Sequence, residues 1–270
     1  MNHESSFLEM KEWFGKNTEG NVLVALSGGV DSAVVALAAK HALQDNAIAI
    51  TANYKTLAES EMITAINVAR EIGIRHKVIY YNELNDPDFI KNDHLRCYYC
   101  RRSLSRHLIS YAKKIGVSCI VDGTHADDIL DYRPGIKALQ EFGIKSPLLE
   151  KKIGKRIVRE IARHYHLSIY NKPPNSCLAS RIPNGITITQ QKLRKIEDAE
   201  QIIKDLFNVE HVRVRDHNDI ARIEIDINEF GKMFDLTKLK TVNIMLKNIG
   251  FNYVSLDLGG YKSGKLVVLK

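Results

Sequence analysis

A Ser-Gly-Gly turn set between an apolar run and a helical run constrains this chain more than any other feature. Residues Ser27, Gly28, Gly29, Val30, Asp31 and Ser32 follow the apolar run 22–26 and open the helical run 33–43. A buried strand that feeds a tight turn and then a helix is the first half of a βαβ unit. It commits the chain to a parallel sheet covered by helices. The two glycines let the backbone reverse sharply and bring its N–H groups close to a ligand. The first N–H groups of the helix have no partner within it and point to the same spot, so the turn reads as an anion site. Two familiar phosphate loops are excluded. At this turn no Lys-Ser or Lys-Thr follows a second glycine, as the Walker pattern requires, and the glycines are not spaced as in the dinucleotide fingerprint.

The alternation continues beyond the turn. Apolar runs at 47–52, 77–81 and 119–121 predict buried parallel strands, and 57–72, 103–115 and 155–166 predict helices. Right-handed crossovers bring the strand C-termini to one edge, so 27–32 and 122–128 are expected together there. A Pro-containing stretch at 171–185 reads as a linker. After it come an amphipathic helix at 189–207 with Thr189 as N-cap, and alternating strands at 212–215 and 221–227 that form a hairpin around 216–219. Helices near 230 and at 242–247 follow, then a strand at 253–258. The expected fold class is α/β: a doubly wound, mostly parallel sheet in residues 1–175, followed by a smaller C-terminal α+β domain in residues 186–270.

Composition narrows the setting. A chain of 270 residues with 44% hydrophobic content has enough apolar material for a full core. It has no apolar stretch of about 18 residues, so no membrane span is expected. Residues 1–13 carry acids and lack the apolar core of a secretory signal. Four cysteines in such a chain point to a reducing, cytoplasmic compartment, and to thiol or metal chemistry rather than disulfides. The net charge of +7 suits a phosphate-bearing substrate or RNA, and an ordinary solvated surface suits it almost as well.

Three cysteines carry chemistry. Cys97 and Cys100 form a C-x-x-C pair, which can hold a metal, a cluster or a redox disulfide; packing or structural zinc is the plainer alternative. Cys177 lies among turn residues with Arg181 close by, and a nearby cation favours a reactive thiolate. Three thiols leave a zinc or [4Fe–4S] site one ligand short, the open shell that a catalytic site requires. Cys119, within an apolar strand, reads as a small buried hydrophobe. In the hairpin, Arg213 and Arg215 are two apart and share a face, which suits bidentate phosphate binding. A salt-bridge ladder with Glu224 and Asp226 is the alternative for the same residues.

Taken together, these segments resemble one family. The loop 27–32 has the S-G-G-x-D-S pattern of the PP-loop ATPases, which cleave ATP between the α and β phosphates. The segments 96–100, 122–124 with Asp127 and Asp128, 131–135, 146–148, 177–183, 213–215, 221–224 and 256–264 are similar to the LarE family, PP-loop sulfur transferases of nickel-pincer nucleotide cofactor biosynthesis. The resemblance covers nearly the whole chain and implies an adenine nucleotide alpha hydrolase-like fold. It implies ATP bound by Ser27, Gly28, Gly29, Asp31, Ser32, Gly123 and Asp128, with Mg²⁺ organised by Asp31 and Asp128. The small-molecule substrate would be a pyridinium-3,5-biscarboxylate mononucleotide, its phosphate held by Arg213 and Arg215. Adenylation turns a poor electrophile into one with a good leaving group, and sulfur then attacks to give a thiocarboxylate. Cys177, Glu200 and Arg181 are implied as catalytic. Two sulfur sources occur in the family: a [4Fe–4S] cluster, here on Cys97, Cys100 and Cys177, or Cys177 itself as a sacrificial donor. The presence of all three cysteines favours the cluster. Partners implied are a sulfur donor, other enzymes of the cofactor pathway and further copies of the chain, the C-terminal domain serving substrate binding and oligomerisation.

Two other readings compete. A PP-loop tRNA thiolase shares the adenylation step and fits the pI near 9.1, but no RNA-binding module or aromatic–basic platform is evident. A non-catalytic adenine-nucleotide sensor or RNA-binding subunit would not need the intact Cys177 segment. The ammonia-using ligases of the superfamily have no use for Cys177 either.

Overall fold

The computed structural model describes residues 2–130 and 134–261. Asp131, Tyr132 and Arg133, and Lys262, Ser263 and Gly264, which carried part of the resemblance, lie outside the described residues. In chain order the elements are α1 (His3–Asn17), β1 (Val22–Ala25), α2 (Val30–Leu43), β2 (Ala47–Asn53), α3 (Glu59–Ile72), β3 (Arg75–Tyr80), α4 (Pro87–Ile90) and α5 (Arg96–Lys114). There follow β4 (Cys119–Val121), α6 (Pro134–Glu141), α7 (Pro147–Glu150), α8 (Lys155–His164), α9 (Gln190–Phe207), β5 (Val212–Asp216), β6 (Ile220–Ile225), α10 (Leu236–Asn248) and β7 (Tyr253–Leu256). They fall into two compact units: residues 1–83 with 95–175, and residues 84–94 with 176–270.

The first unit holds a sheet of order β3-β2-β1-β4, parallel throughout. Alternation along β1 shows why both faces are covered. Val22 and Val24 enter one apolar cluster with Phe14 of α1, Val34 of α2, Val68 of α3 and Ile161 of α8. Leu23 enters another with Leu104 and Leu108 of α5 and Leu139 of α6. This is the doubly wound α/β architecture expected from the sequence. The strand order reverses between β1 and β4, and the loops after these two strands therefore flank a crevice at the C-terminal edge. Helix α1, which covers this sheet with Phe7, Met10, Trp13 and Phe14, was not anticipated from the sequence.

The second unit holds a sheet of order β5-β6-β7, in which β5 and β6 are antiparallel and β6 and β7 parallel. Its core joins Ile203 and Phe207 of α9 to Val212, Val214, Ile223, Ile225 and Leu246. Asn218 and Asp219 both take positive φ (50° and 65°), the two-residue turn whose twist matches a hairpin. The excursion 84–94 had no signal in the sequence. It is stitched into this unit by Asn92, whose buried side-chain amide donates to the carbonyls of Ile182, Pro183 and Ile186 at 3.3, 2.8 and 2.9 Å.

Candidate functional site

In the first unit, the turn after β1 is built as the sequence suggests. Gly29 caps α2 without a side-chain hydrogen bond, which leaves the N–H groups of the first turn open. Gly28 has φ +78°, and a Cβ there would lie 2.7 Å from the Glu61 carbonyl oxygen, so only glycine fits. Ser32 closes the turn: its hydroxyl accepts from the Ser27 N–H at 3.1 Å and donates to the Gly29 carbonyl at 3.0 Å. A Cβ on Gly123 would lie 2.6 Å from the Ser32 nitrogen. The end of β4 therefore meets the start of α2 backbone to backbone, and Gly123 joins Ser27, Gly28, Gly29, Asp31 and Ser32 at one edge.

Two lysines unremarked in the sequence reach this turn. Lys155, the first residue of α8, places its ammonium 2.5 Å from one Asp31 carboxylate oxygen, and its backbone N–H donates to Asp127 at 2.7 Å. The other Asp31 oxygen, Oδ1, is buried and has no partner among the described residues. Lys172 bridges the Gly28 carbonyl (3.2 Å) and Glu61 (2.7 Å), and Asn175 donates to the same Glu61 carboxylate at 2.8 Å. Asp128, buried, accepts from the His125 N–H at 3.0 Å and lies 3.4 Å from His125 Nε2. A glycine-rich turn, open helix N–H groups, two ammonium groups and an under-used carboxylate match what a Mg²⁺-bound triphosphate requires. The only sequence signals for the lysines were Gly154-Lys155 at a helix start and Lys172 before Pro173-Pro174.

The C-x-x-C pair differs from expectation in its setting. The predicted helix 103–115 in fact starts at Arg96, so Cys97 and Cys100 lie in its first turns, three apart on one face. Both carry thiols outside any disulfide, Cys97 exposed and Cys100 half-buried. Close packing of α6 sets this end of α5, since a Cβ on Gly135 would lie 2.9 Å from Arg101 Cγ and 3.4 Å from the Cys97 carbonyl oxygen. The buried Tyr81 hydroxyl has no partner among the described residues; burial first, then the neighbouring Cys100, pushes its pKa up. Tyr81 stacks between Tyr54 and His107, with ring centroids 5.4 and 4.4 Å apart. Cys119 is the buried hydrophobe the sequence suggested, and burial pushes its thiol pKa up.

In the second unit, Cys177 precedes a short 3-10 turn, Leu178–Arg181. Arg181, 1% exposed, organises this segment. Its Nη1 donates to the carbonyls of Ser176 and Cys177, the latter at 3.0 Å. Its Nε and Nη2 form a bidentate pair with Glu200 at 2.9 and 3.1 Å. Glu200 also accepts from the Val214 N–H at 3.1 Å, tying the segment to β5. Arg215 pairs with Glu224 through two 3.0 Å bonds and donates to the Ser180 carbonyl at 2.8 Å. Arg213, opposite Glu224 in register, lies over the Tyr261 ring at 5.2 Å and donates to the Val212 carbonyl. Burial, then neighbouring Arg181, lowers the Arg213 pKa. Arg222 pairs with Glu224 at 2.7 Å. The face is thus partly the ladder that was the alternative reading, yet three guanidiniums share two buried carboxylates, Arg181 on Glu200 and Arg215 and Arg222 on Glu224, with Arg213 beside them.

Comparison with known proteins points the same way. A family model described as NAD synthase matches residues 3–92. The chain is 39% identical, over 97% of its length and 97% of the relative's, to an uncharacterized protein of Synechocystis sp.. It is 36% identical, over 91% of its length and 88% of the relative's, to the pyridinium-3,5-bisthiocarboxylic acid mononucleotide synthase of Lactiplantibacillus plantarum. A subunit of the glutamine-hydrolyzing GMP synthase of Pyrococcus horikoshii is 27% identical over 75% of this chain and 68% of its own. With the loop, the parallel sheet that carries it and likeness to a bisthiocarboxylate synthase along both units, the chain belongs to the LarE family of ATP-dependent PP-loop sulfur transferases of nickel-pincer cofactor biosynthesis.

Proposed function

We propose that the protein adenylates a ring carboxylate of a pyridinium-3,5-biscarboxylate mononucleotide and converts it to a thiocarboxylate, with sulfur delivered from a [4Fe–4S] cluster held by Cys97, Cys100 and Cys177. The observation that carries the cluster reading is the placement of Cys97 and Cys100 as accessible thiols on one face of α5. Two neighbouring thiolates from one helix turn suit a cluster or zinc. Arg181 and Glu200 fix the backbone of Cys177, so the third thiol is presented from a braced segment.

In this reading the carboxylate oxygen attacks the α-phosphorus of ATP, and pyrophosphate leaves from the turn. Loop N–H groups, Lys155 and Lys172 bind the developing charge, and Asp31 and Asp128 hold Mg²⁺. A sulfide attacks the acyl carbon, the acyl–oxygen bond breaks and AMP leaves with the bonding pair. The cluster, when bound, supplies that sulfide and allows repeated turnover. Arg213 and Arg215 hold the substrate phosphate. A cytoplasmic homo-oligomer is part of the reading; Phe234, Leu236 and Ile244 expose apolar surface on the second unit that another copy would cover.

Anaerobic iron and sulfide analysis tests the proposal, alongside pyrophosphate release with the pyridinium dicarboxylate mononucleotide, tRNA and ammonia as acceptors. Brown protein with iron lost in Cys97→Ala, Cys100→Ala and Cys177→Ala, but retained in Cys119→Ala, is expected. Colourless active protein whose mass falls by one sulfur per turnover would establish the sacrificial route instead. Release stimulated by tRNA and not by the mononucleotide would make it an RNA thiolase.

A further inference from the structure

His217 follows Arg213 and Arg215 at the same two-residue spacing, at the end of β5 where the hairpin turns. It lines a cleft with Ser180, Arg181, Asn184, Arg215 and Arg222. Two side-chain nitrogens in this cleft are buried and have no partner among the described residues: His217 Nε2 and Arg222 Nε. The other guanidinium nitrogens there are engaged, those of Arg222 included: its Nη2 pairs with Glu224 at 2.7 Å and its Nη1 lies 3.6 Å from Asp257. Arg215 is held by Glu224 and the Ser180 carbonyl, and Arg181 by Glu200. Buried polar groups without partners are uncommon, and two of them beside surplus guanidinium charge describe a site for an anion.

We propose that His217 and Arg222 are ligands of a phosphate monoester in this cleft, and that His217 takes up a proton as the anion binds. The proposal rests on the nucleotide-substrate reading above and deepens it. It adds two nitrogens, His217 Nε2 and Arg222 Nε, to the contacts that Arg213 and Arg215 make in that reading.

The charge balance explains the proton. By itself the cleft keeps His217 neutral: burial lowers its pKa below the usual 6.5, and Arg222 and Arg215 lower it further, against weaker support from Glu224 and Asp216. The groups around it are Arg215 and Asp216 on β5, Arg222 and Glu224 on β6 and Arg181 from the 3-10 turn, with Asp257 reaching Arg222 at 3.6 Å. A dianion reverses the sign of the local potential and favours imidazolium. Binding therefore tightens as pH falls from 8 toward 6.5, where the monoester is still largely dianionic.

Calorimetry of ribose 5-phosphate binding to the full chain, with ribose as the anion-free control, reads this directly. Titrations at pH 7 in two buffers of different ionisation enthalpy give the protons taken up. Wild type is expected to bind ribose 5-phosphate with uptake of part of a proton. His217→Gln and His217→Asn should bind roughly tenfold to a hundredfold more weakly, lose the uptake attributable to His217 and keep a wild-type melting temperature. Unchanged affinity and uptake in both variants overturns the role of His217 and leaves the nucleotide reading standing. Failure of wild type to distinguish ribose 5-phosphate from ribose overturns the phosphate site itself. A purely structural His217 would lower the melting temperature while leaving the uptake intact.

Discussion

Gly123→Ala tests the architecture of the ATP site with a single methyl group. The new Cβ would stand 2.6 Å from the Ser32 nitrogen, 2.8 Å from its Cα and 3.0 Å from the Asp31 carbonyl carbon. Ordinary contact begins near 3.4 Å, so about 0.8 Å (3.4 − 2.6) must be relieved. All three opposing atoms are backbone of the first turn of α2, so no side chain can swing aside. The end of β4 and the start of α2 must separate, and the open N–H groups of the turn move with them. Overpacking of this kind costs about 1–3 kcal/mol, which lowers the melting temperature by roughly 3–10 °C. Displacement of a binding cradle by nearly 1 Å costs on the order of 100-fold in rate. The assays are ATP affinity by calorimetry, pyrophosphate release and thermal melting. Gly15→Ala is the control: it lies in α1 with nothing within 4 Å of its new methyl. That variant should gain about 0.5–1 kcal/mol of helix stability and keep wild-type pyrophosphate release. Wild-type ATP affinity and turnover in Gly123→Ala would refute the placement of β4 against the turn.

Two further outcomes are expected. Glu200→Ala strips the bidentate partner from an Arg181 that is 1% exposed, and breaking such a pair costs about 3–5 kcal/mol in urea unfolding; a loss under about 1 kcal/mol would mean that Glu200 does not brace the Cys177 segment. His76, whose Nε2 lies 2.8 Å from the Thr51 hydroxyl, has its pKa lowered below 6.5 by burial. The unfolded chain therefore binds more protons, so its contribution is fully present above pH 6.5 and is lost as pH falls through the folded pKa. His76→Gln should flatten the dependence of urea midpoints between pH 5 and 7.5, and an unchanged slope would sink the assignment.

Sequence alone settled what depends on local pattern. The turn 27–32 was legible because glycine spacing, an apolar strand and a helix start are neighbours in the chain, and three buried strands were legible from short apolar runs; the run 77–81, expected to be buried, instead falls on the edge strand β3, no residue of which is buried. The hairpin face was legible too, since a period of two places Arg213 and Arg215 together, and the same period could have found His217. Long-range backbone approach was not legible. That Gly123 meets Ser32, that Lys155 and Lys172 reach the loop and that Asn92 recruits residues 84–94 into the second unit are decided by chain crossings. Nor could spacing tell how charge would be shared. Arg215 and Arg222 both turn to Glu224 and Arg181 takes Glu200 because these groups are buried together, where an unpaired charge is too costly to leave. The sequence determined the parallel sheet and the activating turn; tertiary packing decided which side chains remain unpaired to meet a ligand, because only burial makes a missing partner expensive.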